Sequence, residues 1–161
     1  MARSGPEPNV TLSILDRLID LAPGQAADPP ARRAESLRQL KISLRRDLEW
    51  LLNTRRIPEA IEESSSELEN SLYNYGLPDT TALGIHSIQD QNRLLRMIEV
   101  ALATFEPRIQ GARVSLEQSA AGTRVMKFQI QGLLRIDPAP ERVTFDTVLE
   151  LIKGDYQVKT D

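Results

Sequence analysis

The chain changes its hydrophobic period at Phe105-Glu106-Pro107-Arg108, and this limits its fold more than any other feature. Upstream, apolar residues recur every three or four positions, the spacing of a helix face; downstream they alternate with polar residues, as in a strand. Pro107 supplies the reason for the change, because proline has no N–H and disfavours a helical conformation in the residue before it. If Glu106 to Arg108 is extended, the two opposite charges fall on one face. That pair is either a structural ion pair or a docking site for partner chains.

With 161 residues, the chain is long enough to bury a proper core in one domain of ordinary size. Net charge is −3, which does not favour a nucleic acid or an anionic membrane as partner. The charge is uneven: residues 59–90 hold seven acidic and no basic side chains, whereas residues 1–58 hold ten basic and seven acidic. Cysteine is absent, which removes disulfides, thiolate chemistry and cysteine-built zinc sites. No basic segment followed by an apolar core opens the chain. No run approaches the roughly 18 apolar residues of a membrane span.

Residues 1–10 are polar and contain prolines, and Thr11 to Leu21 then carries a short helical pattern. Leu12, Leu15, Leu18 and Ile19 share one face of it, with Thr11 or Ser13 as the cap. A helix this short needs something to dock on. Because residues 22–31 read as a flexible linker, a partner protein is the favoured support, with Leu15 and Leu18 in the contact. A first long helix is expected from Ala34 to Thr54, with Leu37, Leu40, Leu44, Leu48, Leu51 and Leu52 in one stripe and Trp50 at its edge over the core. Its other faces carry Arg38, Lys41, Arg45 and Arg46. Nucleic-acid binding would also need aromatic stacking residues or a net-positive domain, so a solvated face that offers salt bridges to an acidic partner is the better reading.

Glu59, Glu62, Glu63, Glu67 and Glu69 form an acidic, solvated patch. Tyr73 and Tyr75 beside the Gly76–Pro78 turn suggest an anchored loop. His86, the only histidine, has no partner ligands and is a loop residue. A second long helix begins at Ser87 as N-cap, carries Ile88, Gln91, Leu95, Ile98, Leu102 and Phe105 along one face with Leu94 and Ala101 flanking it, and stops at the corner. Strand patterns follow at Val114 to Glu117, Val125 to Ile136 and Val143 to Ile152, with a last short run from Tyr156 to Lys159. Ala120 to Gly122 and Lys153 to Asp155 are turns, and Asp137 to Pro140 breaks the chain.

Two long helices followed by a small antiparallel C-terminal sheet, with a detached N-terminal helix, make an α+β fold. Residues 1–31 hold the short helix and linker, and residues 32–161 form one domain. The last run is an edge strand, able to pair with another chain through Tyr156 and Val158. No phosphate loop, paired-histidine helix, nucleophile elbow or dinucleotide fingerprint occurs, so no catalytic, metal or cofactor residues are assigned.

Five stretches in order carry a family resemblance: residues 12–18 (LSILDRL), 43–55 (SLRRDLEWLLNTR), 71–79 (SLYNYGLPD), 98–108 ending in Phe-Glu-Pro-Arg, and 145–149 (FDTVL). Together they resemble the TssE family, the small baseplate wedge subunits of bacterial type VI secretion systems, similar to a wedge protein of contractile phage tails. The resemblance implies a cytoplasmic structural protein, part of a large hetero-oligomer docked at the inner face of the cytoplasmic membrane but not inserted in it. It implies TssF, TssG and the sheath proteins as partners, with TssK as a further candidate. It also implies that Glu106, Pro107 and Arg108 act in wedge assembly. The C-terminal strands, with Phe145 in the last motif, would template the first sheath ring by strand addition. The alternative, a peptidoglycan hydrolase, follows from the family's inherited lysozyme-like label. It needs an acid in an apolar pocket opposite a second carboxylate, and a carboxylate beside Arg108 is a poor proton donor for that chemistry.

Overall fold

The computed structural model describes residues 10, 12–19, 24, 33–57, 66–80, 83, 87–117, 125–150 and 154–160. His86, Glu59, Glu62, Glu63, the turn at 120–122 and nearly all of the 22–31 linker lie outside the described residues. The elements are α1 (Ile14–Leu18), α2 (Arg33–Asn53), α3 (Ser66–Glu69), a 3-10 turn (Leu72–Asn74), α4 (Ile88–Phe105), β1 (Ile109–Leu116), β2 (Val125–Leu134), β3 (Glu141–Glu150) and β4 (Asp155–Thr160). The fold is α+β. Helices come first, and the strands form an antiparallel sheet in the order β1-β2-β3-β4.

Two long helices cover one face of that sheet, α2 against β4 and α4 against β1. The strand pattern explains why. Met126, Phe128, Ile130 and Leu134 of β2 are buried, as are Val143, Phe145, Thr147 and Leu149 of β3, whereas their alternating neighbours reach solvent or the partly covered outer face. The outer face is polar, with Gln129 Nε2 donating to Asp146 Oδ1 at 2.9 Å across the β2–β3 pair. From the helices, Leu40, Leu44, Leu48, Leu51 and Leu52 meet Leu94, Ile98, Ala101 and Leu102 in the same core. Fully burying each such side chain is worth roughly 1.5–3 kcal/mol, so these layers outweigh any single polar contact.

Ser13 and Ser87 cap α1 and α4 by accepting from the backbone N–H of Asp16 and Asp90. The buried stripe of α4 is rotated from the sequence expectation: Leu94 and Ala101 are inside, and Ile88 is 73% exposed. Ile88 is the first helical residue, and the core does not reach that end of the helix. Trp50 likewise does not cover the core. It is 52% exposed, one position before the buried Leu51 and Leu52. At the other end of the chain, Val10 is buried and Leu12 packs on the core, while α1 itself has no buried residue.

The segment after α2 is fastened back on itself. Thr54 O accepts from Leu77 N at 2.8 Å, and Leu77 O accepts from Arg56 N at 2.9 Å. This close approach brings Gly76 against Thr54, at φ +103°, where an added Cβ would stand 2.2 Å from the Thr54 carbonyl oxygen. Tyr75 then lies edge-on to Phe105, ring centroids 5.3 Å apart, whereas Tyr73 is exposed. Tyr75 therefore anchors the loop. Gly76→Ala is expected to lower stability by about 2–3 kcal/mol from strain and steric clash together. Urea unfolding measures this, and an unchanged midpoint would show that the loop moves away without cost.

Candidate functional site

The corner at Phe105–Arg108 is built by three backbone choices. α4 ends where Glu106 N donates to Leu102 O at 2.9 Å, and Glu106 O then accepts from Ile109 N at 3.1 Å. Pro107 occupies the second position of this four-residue turn, where its fixed φ fits and its missing N–H leaves nothing unpaired. Arg135 N donates to Arg108 O at 2.8 Å, so the chain leaves the turn already paired with the end of β2.

This turn, and not the extended backbone on which the sequence expectation depended, brings Glu106 and Arg108 side by side. Arg108 Nε and Nη2 donate to the two carboxylate oxygens of Glu106, each at 2.5 Å. The same Nη2 donates to Asp47 Oδ2 of α2 at 2.7 Å. Asp47 Oδ1 accepts from Arg46 Nη2 and Nε at 2.8 and 3.0 Å, and Arg46 Nη2 continues to Asp16 Oδ1 of α1 at 3.0 Å. Asp16 closes the series with Ser13, whose hydroxyl donates to Oδ2 at 2.5 Å. Glu106, Arg108, Asp47, Arg46 and Asp16 thus form one alternating chain of charge across three separate elements.

Electrostatics follow from this order. The hydrogen bonds and charge of Glu106, with Asp47 behind it, raise the Arg108 pKa and hold the guanidinium charged against the cost of burial. Burial alone would raise the Asp16 carboxyl. The Ser13 hydroxyl and the Arg46 guanidinium outweigh it and hold that carboxyl below its ordinary 3.8. Tyr75 has its phenol pushed up by burial first, then by the carboxylates of Asp47 and Glu106. The Arg46 guanidinium also lies over the Trp50 ring, 4.9 Å from its centroid. That contact accounts for a half-exposed tryptophan better than core coverage does.

Placement of the other expected partner-binding residues is mixed. Glu106 does not face outward: its side chain is 6% exposed and both oxygens are held by Arg108. Arg108 is partly exposed and its Nη1 has no partner among the described residues, so this atom and the exposed Pro107 are what the corner offers to solvent. Leu15 and Leu18 are exposed at 47% and 77%, and Arg45 is exposed beside the engaged Arg46. Phe145, Tyr156 and Val158 have their side chains in the core. Phe145 lies in an inner strand whose backbone serves both neighbours, so it offers a partner neither side chain nor edge.

Tyr156 and Val158 lie on the outer strand β4, where only backbone groups remain for pairing. One pair of these is already taken. Asn53 of α2 donates its Nδ2 to Tyr156 O at 2.9 Å and accepts from Tyr156 N at 2.8 Å, as a neighbouring strand would. The opposite edge has a matching device, in which Glu99 Oε1 of α4 accepts from Val114 N of β1 at 2.9 Å. A bulge between Gln110 and Arg113, with Gly111 at φ +61°, further interrupts the β1 edge. Blocked and bulged edges are a common defence against unwanted pairing.

Asp47, Asp16, Asn53 and Glu99 are the residues that sequence reasoning missed. Asp47 carried one signal: an acid set among basic residues on α2, one position from the buried Leu48. Among the described residues no group of His, Asp or Glu is arranged to hold a metal ion, and no helix is long and apolar enough to cross a membrane.

Arg108→Ala would leave Glu106 buried without its counter-charge, and a loss of about 3 kcal/mol is expected in urea unfolding. A loss below about 0.5 kcal/mol would mean that water replaces the guanidinium freely. The Asp16 carboxyl is depressed on folding, so its contribution is present above its ordinary value of 3.8 and is lost as pH falls through the lower folded value. Asp16→Asn should therefore be less stable than the parent at pH 6. The difference should close as the pH falls below about 4, and a gap that does not change with pH would remove Asp16 from the account.

Residues 38–139, from α2 to just past β2, match the family described as baseplate wedge protein gp25. No curated protein matches. Among solved structures, a chain of "The baseplate complex from the type VI secretion system" aligns with a TM-score of 0.46 and 23% identity, over 69% of this chain and 94% of that one.

Proposed function

The chain belongs to the baseplate wedge protein gp25 family, and on that premise we propose that it acts as a TssE-type wedge subunit of a type VI secretion baseplate. The observation that carries this reading is the span of the family match. It takes in Asp47 and the Glu106-Pro107-Arg108 corner, the two ends of the ion pair that ties α2 to the helix–strand junction. In this reading the protein works in the cytoplasm, joins TssF and TssG, and templates the first ring of the contractile sheath, with TssK as a further contact.

The corner acts as a rigid spacer, because Arg108 is held at two carboxylates and has little freedom left to lose on binding. Leu15 and Leu18 are the apolar contacts for another wedge subunit, on a helix whose polar side is fastened by Asp16. Sheath contact is by strand addition to β4. Since Asn53 occupies the outward groups of Tyr156, an incoming strand begins at Val158 and runs toward Thr160.

Catalysis has no place in this proposal. Both oxygens of Glu106 are engaged by Arg108, and both oxygens of Asp47 by Arg108 and Arg46, so neither carboxylate is free to protonate a glycosidic oxygen.

Leu15→Glu with Leu18→Glu tests the wedge reading without touching the core. Co-expressed with TssF and TssG, the double variant should co-purify at no more than about a tenth of the parent level, since each charge must be desolvated in an apolar contact. Its thermal melt should be unchanged. Full co-purification of this variant would exclude α1 from the wedge contact, and failure of the parent chain itself to co-purify would overturn the reading.

A further inference from the structure

The geometry points to a second docking surface, a cleft of about 600 Å³ between α4 and the segment that follows α2, built to take an acidic segment of a partner protein that carries an apolar side chain. The inference rests on the baseplate reading only in taking its partner to be a protein of the same assembly.

Two features of the cleft define its occupant. Its floor is apolar: Met97, Val100 and Phe105 line it, and Val100 is 66% exposed in the middle of a regular helix. Its rim is cationic. Arg93 and Arg96 stand three residues apart on α4, and Arg56 faces them from the other wall. Arg56 and Arg96 make only long contacts with neutral oxygens, each 3.4 Å, to Asn74 Oδ1 and Asn92 O. None of the three pairs with a carboxylate among the described residues. Arg46, Arg55, Arg108 and Lys41, by contrast, hold carboxylates.

Three uncommitted arginines around an apolar floor, in a chain whose net charge is −3, make a local site for charge complementarity. Carboxylates of the occupant would meet guanidinium groups on both walls, with an aliphatic or aromatic side chain seated over Met97 and Val100 between them. A polyanion such as nucleic acid would gain from the rim but would leave the apolar floor unused.

A photo-crosslinking phenylalanine analogue at Val100, in the full chain within the assembled complex, tests this directly. The expected product is a cross-link to a partner protein, mapping to a segment that carries Asp or Glu on either side of an apolar residue. Arg93→Glu with Arg96→Glu should cut its yield by about tenfold or more while the complex still co-purifies. Four results would overturn the proposal: no cross-link from a chain that co-purifies, one to nucleic acid or lipid, one to a basic segment, or one within this chain to residues 58–65. Failure of the unmodified chain to co-purify would instead remove the baseplate reading, and this surface with it.

Discussion

Arg108 sits where three parts of the chain must agree. It is three residues beyond the end of α4, one before β1, and within 2.7 Å of Asp47 in the middle of α2. Its guanidinium neutralises a glutamate that the fold has already buried. Without that charge the corner would have either to expose Glu106 or to bury it unpaired, and the second costs several kcal/mol. The alternation continues through Asp47 and Arg46 to Asp16, so one line of charge fastens the N-terminal helix, α2 and the helix–strand junction. Buried ion pairs are weak contributors to net stability. Their value here is in geometry, because a planar fork that holds two carboxylates permits few arrangements of the backbone that carries it.

The hydrophobic layer sets what remains for binding. Both long helices are spent on one face of the sheet, and the other face is polar. At each side of the sheet a helix lends a polar side chain to the outer strand, Asn53 to β4 and Glu99 to β1. The helices thus do two jobs: they bury the core and they limit where another strand can pair. On the proposed baseplate reading this matters, because a subunit that joins several neighbours must offer particular contacts and close the others. The exposed leucines of α1, the outer end of β4 and the arginine-rimmed cleft lie on different elements, so more than one neighbour could be engaged together.

Much of the fold was legible in the sequence because the signals were local. The leucine spacing placed α2 within a residue of each end, Ser87 marked the start of α4 as its cap, and Pro107 marked the junction. Period-two alternation found β2, β3 and β4. It missed the first residues of β1, where Gly111 and the bulge break the alternation. It also misjudged Ile88 and Trp50, because a helical wheel gives the apolar stripe but not how far along the helix the core extends.

By itself, the sequence determined the class of fold, the corner and the nearness of Glu106 to Arg108, all of which depend on residues close to each other along the chain. Only the tertiary structure decided that this pair points inward, because Asp47 lies 61 residues away and no periodicity relates the two positions. The same holds for Phe145, Tyr156 and Val158, whose strand pattern is local but whose burial requires helices from the first two-thirds of the chain. It holds also for the edge caps and the arginine-rimmed cleft. Each joins residues distant in sequence, and packing of the core, which is non-directional and long in range along the chain, brings them together.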